Sequence, residues 1–416
     1  MSVLITHPGR QHSHQAALAL DHAGLLAAYW AGVPPTAASR RAIPRALAER
    51  FLRYAPIPLP AEKAAWLPLA PSLRQVSHRL PQRLGAELDW VACRAFDVLA
   101  AKRLERWLND ASPSERPTAV LACEISALST FEVAKRHGLA TWLDAPSIHR
   151  AAQDRLHGTT DSPRLHSKIA AIKDREIELA DAIVTVSEFA RGTYLEAGVE
   201  PTKVFAIPLG ADLSLFRPRE VEPTQEPQEV RFLFVGAQIV RKGYDLLLRA
   251  FERVAPQVPS VHLRVVGPAG DASASVSNPL AERFSTTGSI TQTSLVAEFQ
   301  AADVLVLPSR NDSYGMVVAE ALASGLPVVV SDHVGAADLV PSGENGWVIP
   351  ADDLESLVAR LLAIARDPAS VRSLRTAARR SAESATWEAY HERFAQLARE
   401  RLALHEATLH EAGRKR

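Results

Sequence analysis

Short runs of β-branched residues and leucine alternate with helical stretches along most of this chain, and that alternation restricts it to parallel-sheet architecture. The runs sit at Val3 to Thr6, Ala119 to Cys123, Thr141 to Asp144, Ile183 to Val186 and Val204 to Pro208. They resume at Arg231 to Gly236, His262 to Gly267, Asp303 to Leu307 and Val328 to Ser331. A continuous apolar run such as AADVLVLP (Ala301 to Pro308) suits a strand buried on both faces. Between the two sets lies RPREVEPTQEPQEV (Arg217 to Val230), rich in Pro and Glu with little to bury, which reads as a linker. The expected fold class is therefore α/β, with two Rossmann-like doubly wound domains facing across a cleft and ligands at the carboxyl ends of the strands.

Bulk properties agree with two ordinary cores. The chain has 416 residues, 47% of them hydrophobic, which suffices for two domains. Its 47 basic and 47 acidic residues cancel, which argues against a nucleic-acid partner. Cys93 and Cys123 form no C-x-x-C pair, so a reducing compartment is expected. The start, MSVLITHPGRQ, lacks a signal-peptide pattern, and no apolar stretch approaches the ~20 residues that span a bilayer. A cytoplasmic location is expected.

The densest chemistry lies at Ser309 to Pro327, SRNDSYGMVVAEALASGLP. A buried strand ends there in a polar loop, and Met316 to Ser324 then reads as a helix that begins near Tyr314 or Gly315 and stops at Gly325. The first amides of such a helix have no intrahelical partner, and with the dipole they form an anion site that Gly315 lets a ligand approach. Asp312 precedes that end and Glu320 lies roughly 6 to 9 Å deeper at 1.5 Å per residue. One carboxylate can meet a sugar while the other meets a ribose. The alternative reading makes Asp312 an N-cap and Glu320 a solvated helix residue.

The stretch PSRNDSYGMVVAEALASGLPVVVSD resembles the E-x7-E region of retaining GT-B-fold glycosyltransferases of family 4 (glycosyl transferases group 1). FLFVGAQIVRKGYDLLL (Phe232 to Leu248) is similar to that family's strand, glycine loop and Lys-Gly helix start. Glu178 to Pro218, GENGWVIPADDLESLVARL (Gly343 to Leu361) and TWEAY (Thr386 to Tyr390) also fit, so the likeness runs from about Ala180 to Tyr390. The implied domains are residues 1–215, which bind the acceptor, a linker at 216–230 and the nucleotide-sugar domain at 231–385. A C-terminal helix at 386–416 would return to the first domain.

The resemblance implies transfer of a sugar, with retention, from a nucleotide sugar to a hydroxyl of a saccharide or lipid-linked acceptor, in polysaccharide or glycoconjugate biosynthesis. Lys242 would neutralise charge on the departing diphosphate. Ser313, Tyr314, Gly315 and Met316 would surround the donor through backbone amides, Asp312 would face the sugar, Glu320 would accept from the ribose, and Gly267 and Ile290 would lie near the base. Two positions depart from the family pattern. Ala237 stands where an Arg is usual, with Arg241 as a candidate substitute, and Asp312 replaces the usual Glu. An epimerase of the same fold and a catalytically weak scaffold that binds sugar nucleotides are the alternatives.

The first domain opens with VLIT followed by HPGRQHSHQ, where Gly9 permits close backbone approach and His7, Arg10, His12 and His14 crowd one loop. This reads as a donor or acceptor loop, with a plain surface or packing role as the alternative. Metal is not expected, because His12 and His14 point to different faces of a helix and no nearby carboxylate completes a ligand set. The chain also lacks D-x-D, the pair with which the other major glycosyltransferase fold holds a divalent ion. In TWLDAPSIHR (Thr141 to Arg150), the resemblance places His149, or the acid Asp144, beside the donor's reacting carbon. Finally, SRRAIPRALAERFLRY (Ser39 to Tyr54) interleaves five arginines with apolar residues, and Arg74, His78, Arg79 and Arg83 form a second patch. Peripheral contact with an anionic membrane, at its inner face, is one expectation for them and a solvated helix face is the other.

Overall fold

The computed structural model describes residues 1–41, 56–68, 82–157, 162–220, 229–272 and 282–414. Two compact units emerge: Met1–Thr185, Arg191–Ile207 and Tyr390–Arg416 form one, and Val186–Ala190 with Pro208–Ala389 the other.

The first unit holds β1 (Val3–His7), β2 (Leu26–Ala31), β3 (Ala64–Trp66), β4 (Ala119–Cys123), β5 (Ala140–Ala145), β6 (Ala182–Thr185) and β7 (Val204–Ala206). All pair in parallel, in the order β3-β2-β1-β4-β5-β6-β7. In the second unit β8 (Val230–Val235), β9 (Val261–Val266), β10 (Phe284–Thr287), β11 (Val304–Leu307), β12 (Val328–Ser331) and β13 (Gly346–Ile349) are likewise parallel. Their order, β10-β9-β8-β11-β12-β13, is that of a doubly wound nucleotide-binding sheet. Each sheet reverses its winding once, between β1 and β4 and between β8 and β11. In sheets of this order ligands bind outside the carboxyl ends of the strands at such a reversal.

Strands β1, β4, β5, β6, β11 and β12 are buried along their whole length, in keeping with their mainly apolar residues. Four strands carry signals too weak to mark them in the sequence. The alanines of β2, the three residues of β3 and the short run of β13 after Gly346 do not stand out by composition. The polar edge strand β10, FSTT, is partly exposed.

The helices that place functional side chains are α1 (Ser13–His22), α2 (Gln82–Asp110), α3 (Leu128–Arg136), α4 (Pro163–Leu179), α5 (Tyr244–Val254), α6 (Met316–Ala323) and α7 (Trp387–Arg414). Helix α5 buries Tyr244, Leu246, Leu247, Leu248, Ala250, Phe251 and Val254. At roughly 1.5 to 3 kcal/mol per large apolar side chain, that face anchors the turn preceding it. The first turn of α3 is closed by the chain's own acids. Glu176 on α4 accepts from the amides of Ile125 (2.7 Å), Ala127 (2.9 Å) and Leu128 (3.2 Å). Asp97 on α2 accepts from those of Ser129 (2.7 Å) and Thr130 (2.9 Å). That helix N-terminus is thus already satisfied and offers nothing to a ligand.

The basic stretch expected to touch a membrane lies almost entirely outside the described residues, as do Arg74, His78 and Arg79. Among the described residues no helix is long and apolar enough to cross a membrane.

Candidate functional site

The two loops flanking the winding reversal of the second sheet are stitched together. After β8 the chain passes Gly236, turns at Val240–Lys242 and reaches Gly243 in the left-handed region (φ 69°). A Cβ on Gly243 would lie 1.9 Å from the Pro308 carbonyl oxygen, so only glycine lets the loop after β8 touch the loop after β11. The Arg310 amide donates to the Arg241 carbonyl (2.9 Å), and the Arg241 guanidinium donates to the Asn311 carbonyl (3.0 Å). Arg310 is held by Asp245 (2.7 and 2.9 Å), Asp352 (2.8 Å) and the Val240 carbonyl (2.6 Å). Across this seam the Lys242 ammonium is ion-paired with the Asp312 carboxylate. Sequence aims Arg241, Lys242 and Asp312 at a ligand one by one; the structure joins Lys242 to Asp312 and turns Arg241 onto a loop carbonyl.

Beyond Asp312 the chain is pinned to the segment after β12. Asp312 donates to the His333 carbonyl (2.9 Å), Gly335 donates to the Asp312 carbonyl (2.9 Å), and Ala336 donates to the Tyr314 carbonyl (2.6 Å). The Ser313 carbonyl accepts from the Ser187 hydroxyl (2.5 Å), and the buried Tyr314 phenol donates to the Leu209 carbonyl. Gly315 then takes a left-handed conformation (φ 86°) and starts α6; a Cβ there would meet Val334 at 2.6 Å. The amides of Gly315, Met316 and Val317 have no protein acceptor among the described residues. Asp312 makes no capping bond to this helix, which removes its plainest alternative role.

Glu320 sits on the second turn of α6. Its side chain is 6% exposed, and its carboxylate has no hydrogen-bond or ionic partner among the described residues. Desolvation pushes its pKa up to about 7. The solvated-helix reading of this residue is overturned, since α6 is packed against β11, β12 and the helix Arg375–Ala382. A lone buried carboxylate is costly unless a ligand supplies donors.

Gly267 ends β9, and a Cβ there would lie 1.9 Å from the Gly236 carbonyl oxygen, so the contact between two strand ends demands glycine by itself. Gln238 reaches across the same ends to Thr286 (3.2 Å). Ile290 follows β10, half-buried, immediately before the helix Gln292–Ala301.

In the first unit, the loop after β1 closes on itself. The Gly9 amide donates to His7 Nδ1 (2.9 Å), and is therefore engaged within the loop. His7 is buried, and desolvation lowers its pKa to about 4, keeping it neutral. His12 opens α1 and its Nε2 meets Asp144 Oδ1 at 3.0 Å. Despite burial, that carboxylate raises the pKa of His12, and the imidazolium lowers that of Asp144. No carboxylate stands near these histidines in the sequence; β5 delivers one from 132 residues away. Register explains it, because Thr6 pairs with Ala122 and Cys123 with Asp144, which lines up the ends of β1, β4 and β5. One nitrogen of His7, the Cys123 sulfur and an oxygen of Asp144 lie within 4.8 Å of one another. His7 Nδ1 is an acceptor here, whereas a histidine that binds metal through Nε2 must carry a proton on Nδ1, so these hydrogen bonds compete with a metal.

His149 is buried after β5. Its amide donates to Thr193 Oγ1 (2.9 Å), its Nδ1 accepts from the Ala151 amide (3.2 Å), and its ring packs edge-on against Tyr194. Burial lowers its pKa, so at neutral pH the proton resides on Nε2, which can donate but not act as a cation.

Three comparisons bear on this geometry. Residues 229–367 match the family model described as Glycosyl transferases group 1. D-inositol 3-phosphate glycosyltransferase of Rhodococcus erythropolis is 28% identical over 222 residues, 50% of this chain and 50% of that protein. The chain thus spans about half the length of the curated relatives it matches. Sucrose-phosphate synthase from Thermosynechococcus elongatus superposes with a TM-score of 0.69 at 20% identity, covering 97% of this chain and 100% of that one. Anabaena HepE in complex with UDP gives 0.64 at 15% identity, covering 96% and 100%. Both superpositions include both units, and they establish a two-domain GT-B fold.

Proposed function

We propose that the chain, whose residues 229–367 match the family described as Glycosyl transferases group 1, transfers a sugar from a nucleotide-sugar donor to a hydroxyl of a saccharide or lipid-linked acceptor. The observation that carries this reading is Glu320, a buried carboxylate with no partner among the described residues, one turn inside a helix at whose start the amides of Gly315, Met316 and Val317 have no protein acceptor among those residues. Ribose hydroxyls supply the donors Glu320 lacks, and diphosphate oxygens suit the open amides and the Lys242 ammonium beside them.

Transfer proceeds with retention. As the nucleotide diphosphate leaves, negative charge grows on its bridging oxygen, and Lys242 and the α6 amides stabilise it. The acceptor hydroxyl attacks the oxocarbenium-like carbon on the same face, and its proton passes to the departing phosphate. No protein base is assigned. The ammonium and the helix N-terminus take the place of a divalent ion, so turnover is expected to survive EDTA, and its loss on chelation with recovery on added metal would count against the scheme. UDP-sugars head the donor list because the HepE likeness is to a protein bound to UDP.

A nucleotide-sugar-binding protein without turnover is the second reading, favoured by Ala237 at the position of an expected arginine and by the prior engagement of Lys242 with Asp312. A thermal-shift panel of UDP-, GDP- and ADP-sugars tests both. A ligand at 100 times its Kd stabilises the fold by about 2.7 kcal/mol. Release of free nucleotide diphosphate only with acceptor present then separates transfer from binding and from epimerisation. A panel in which no nucleotide shifts the melting point rejects the donor site altogether.

A further inference from the structure

We infer that Asp312 is a positioning residue for Lys242 and does not grip the donor sugar, an assignment that rests on the donor site proposed above. Both side chains are largely withdrawn from solvent, at 19% exposure for the lysine and 14% for the aspartate. The backbones that carry them are fixed independently of the pair. Lys242 is held by the turn closed from its amide to the Ile239 carbonyl (3.0 Å), and Asp312 by its bonds to His333 and Gly335. The ion pair therefore does not assemble the loops. It selects one direction for a flexible four-carbon side chain.

That direction matters because Asp312 Oδ2 lies 3.5 Å from the Cβ position of Gly315, against the turn that opens α6. An ammonium bonded to this oxygen is delivered to the helix N-terminus with two of its three N–H groups still to donate. It arrives beside the open amides of Gly315, Met316 and Val317. Asp312 acts through that cation.

The two roles differ in a measurable ratio. A residue that grips the sugar contributes to binding of a sugar nucleotide and nothing to binding of the free diphosphate. A residue that positions Lys242 affects both alike, because both present the same diphosphate. Affinities for UDP and UDP-glucose, or for the best-bound matching pair in the panel, are measured by calorimetry on the full chain and on Asp312→Asn. The ratio of the two affinities is expected to change less than about twofold. Donor hydrolysis is expected to fall about tenfold, the scale of one charge-assisted hydrogen bond. In a Lys242→Ala background, Asp312→Asn should lower hydrolysis no further. A selective loss of UDP-glucose affinity of about tenfold with UDP unchanged overturns the inference, as does an additive loss in the double variant. A single cooperative unfolding transition for Asp312→Asn above the assay temperature excludes misfolding as the cause. Failure of any nucleotide to bind wild type rejects the donor site itself, a different result from either.

Discussion

Lys242→Ala is expected to lower the rate of sugar release from the donor by about 10²- to 10³-fold, the usual consequence of deleting one preorganised charge at a leaving group. The backbone requirement at this turn rests on Gly243, whose α-carbon must face the Pro308 carbonyl, so the loop does not depend on the lysine side chain for its path. The substitution does leave Asp312 as a half-buried carboxylate without its cation, which lowers stability modestly. Replacing both residues by Ala should restore the melting temperature without restoring activity. The measurement is donor hydrolysis or transfer at saturating donor, beside thermal unfolding. Activity within threefold of wild type would remove Lys242 from the mechanism.

The second large effect concerns Glu320 and pH. Its carboxyl has a folded pKa of about 7 against 4.5 in the unfolded chain, because burial penalises the charge. Between those values the folded state binds more protons than the unfolded state, so stability falls as pH rises through that window. The loss accumulates to about 3 kcal/mol above pH 7, since each tenfold difference in proton affinity between the two states is worth about 1.4 kcal/mol. Glu320→Gln keeps the shape and removes the titration. The variant should therefore match wild type near pH 4 and exceed it above pH 7, in the absence of nucleotide. Its nucleotide-induced stabilisation should shrink, because a neutral amide accepts more weakly from ribose hydroxyls than a carboxylate does. Parallel curves of melting temperature against pH for the two proteins would show that the carboxyl is not carrying a buried charge.

Local pattern makes a good part of this molecule legible, and the reason is visible in particular residues. The left-handed turns at Gly243 and Gly315 precede amphipathic or apolar helices, and both are punctuated by residue type alone. The buried central strands announce themselves because they are apolar on both faces. Strand β10 does not, because an edge strand open to water needs no such composition.

Partnership between distant segments lies beyond that pattern. His12 and Asp144 lie far apart in the chain, and only the parallel register of β1, β4 and β5 brings their ends together. The same holds for Glu176 and Asp97, which come from α4 and α2 to occupy the start of α3. Gly9 looks open to a ligand from its neighbours alone, whereas in the fold His7 accepts its amide.

The sequence by itself determined two doubly wound α/β units, the place of the strand-to-helix turns at Lys242 and Gly315, and the likeness of the second unit to the glycosyl transferases group 1 family. Those are properties of local composition and spacing, which act over a few residues. Tertiary structure alone decided that Glu320 is a buried carboxyl with no partner among the described residues and that Asp312 meets Lys242. Burial and pairing depend on which loops the sheet order sets side by side, and β8 and β11 are neighbours across a winding reversal that no window of sequence contains.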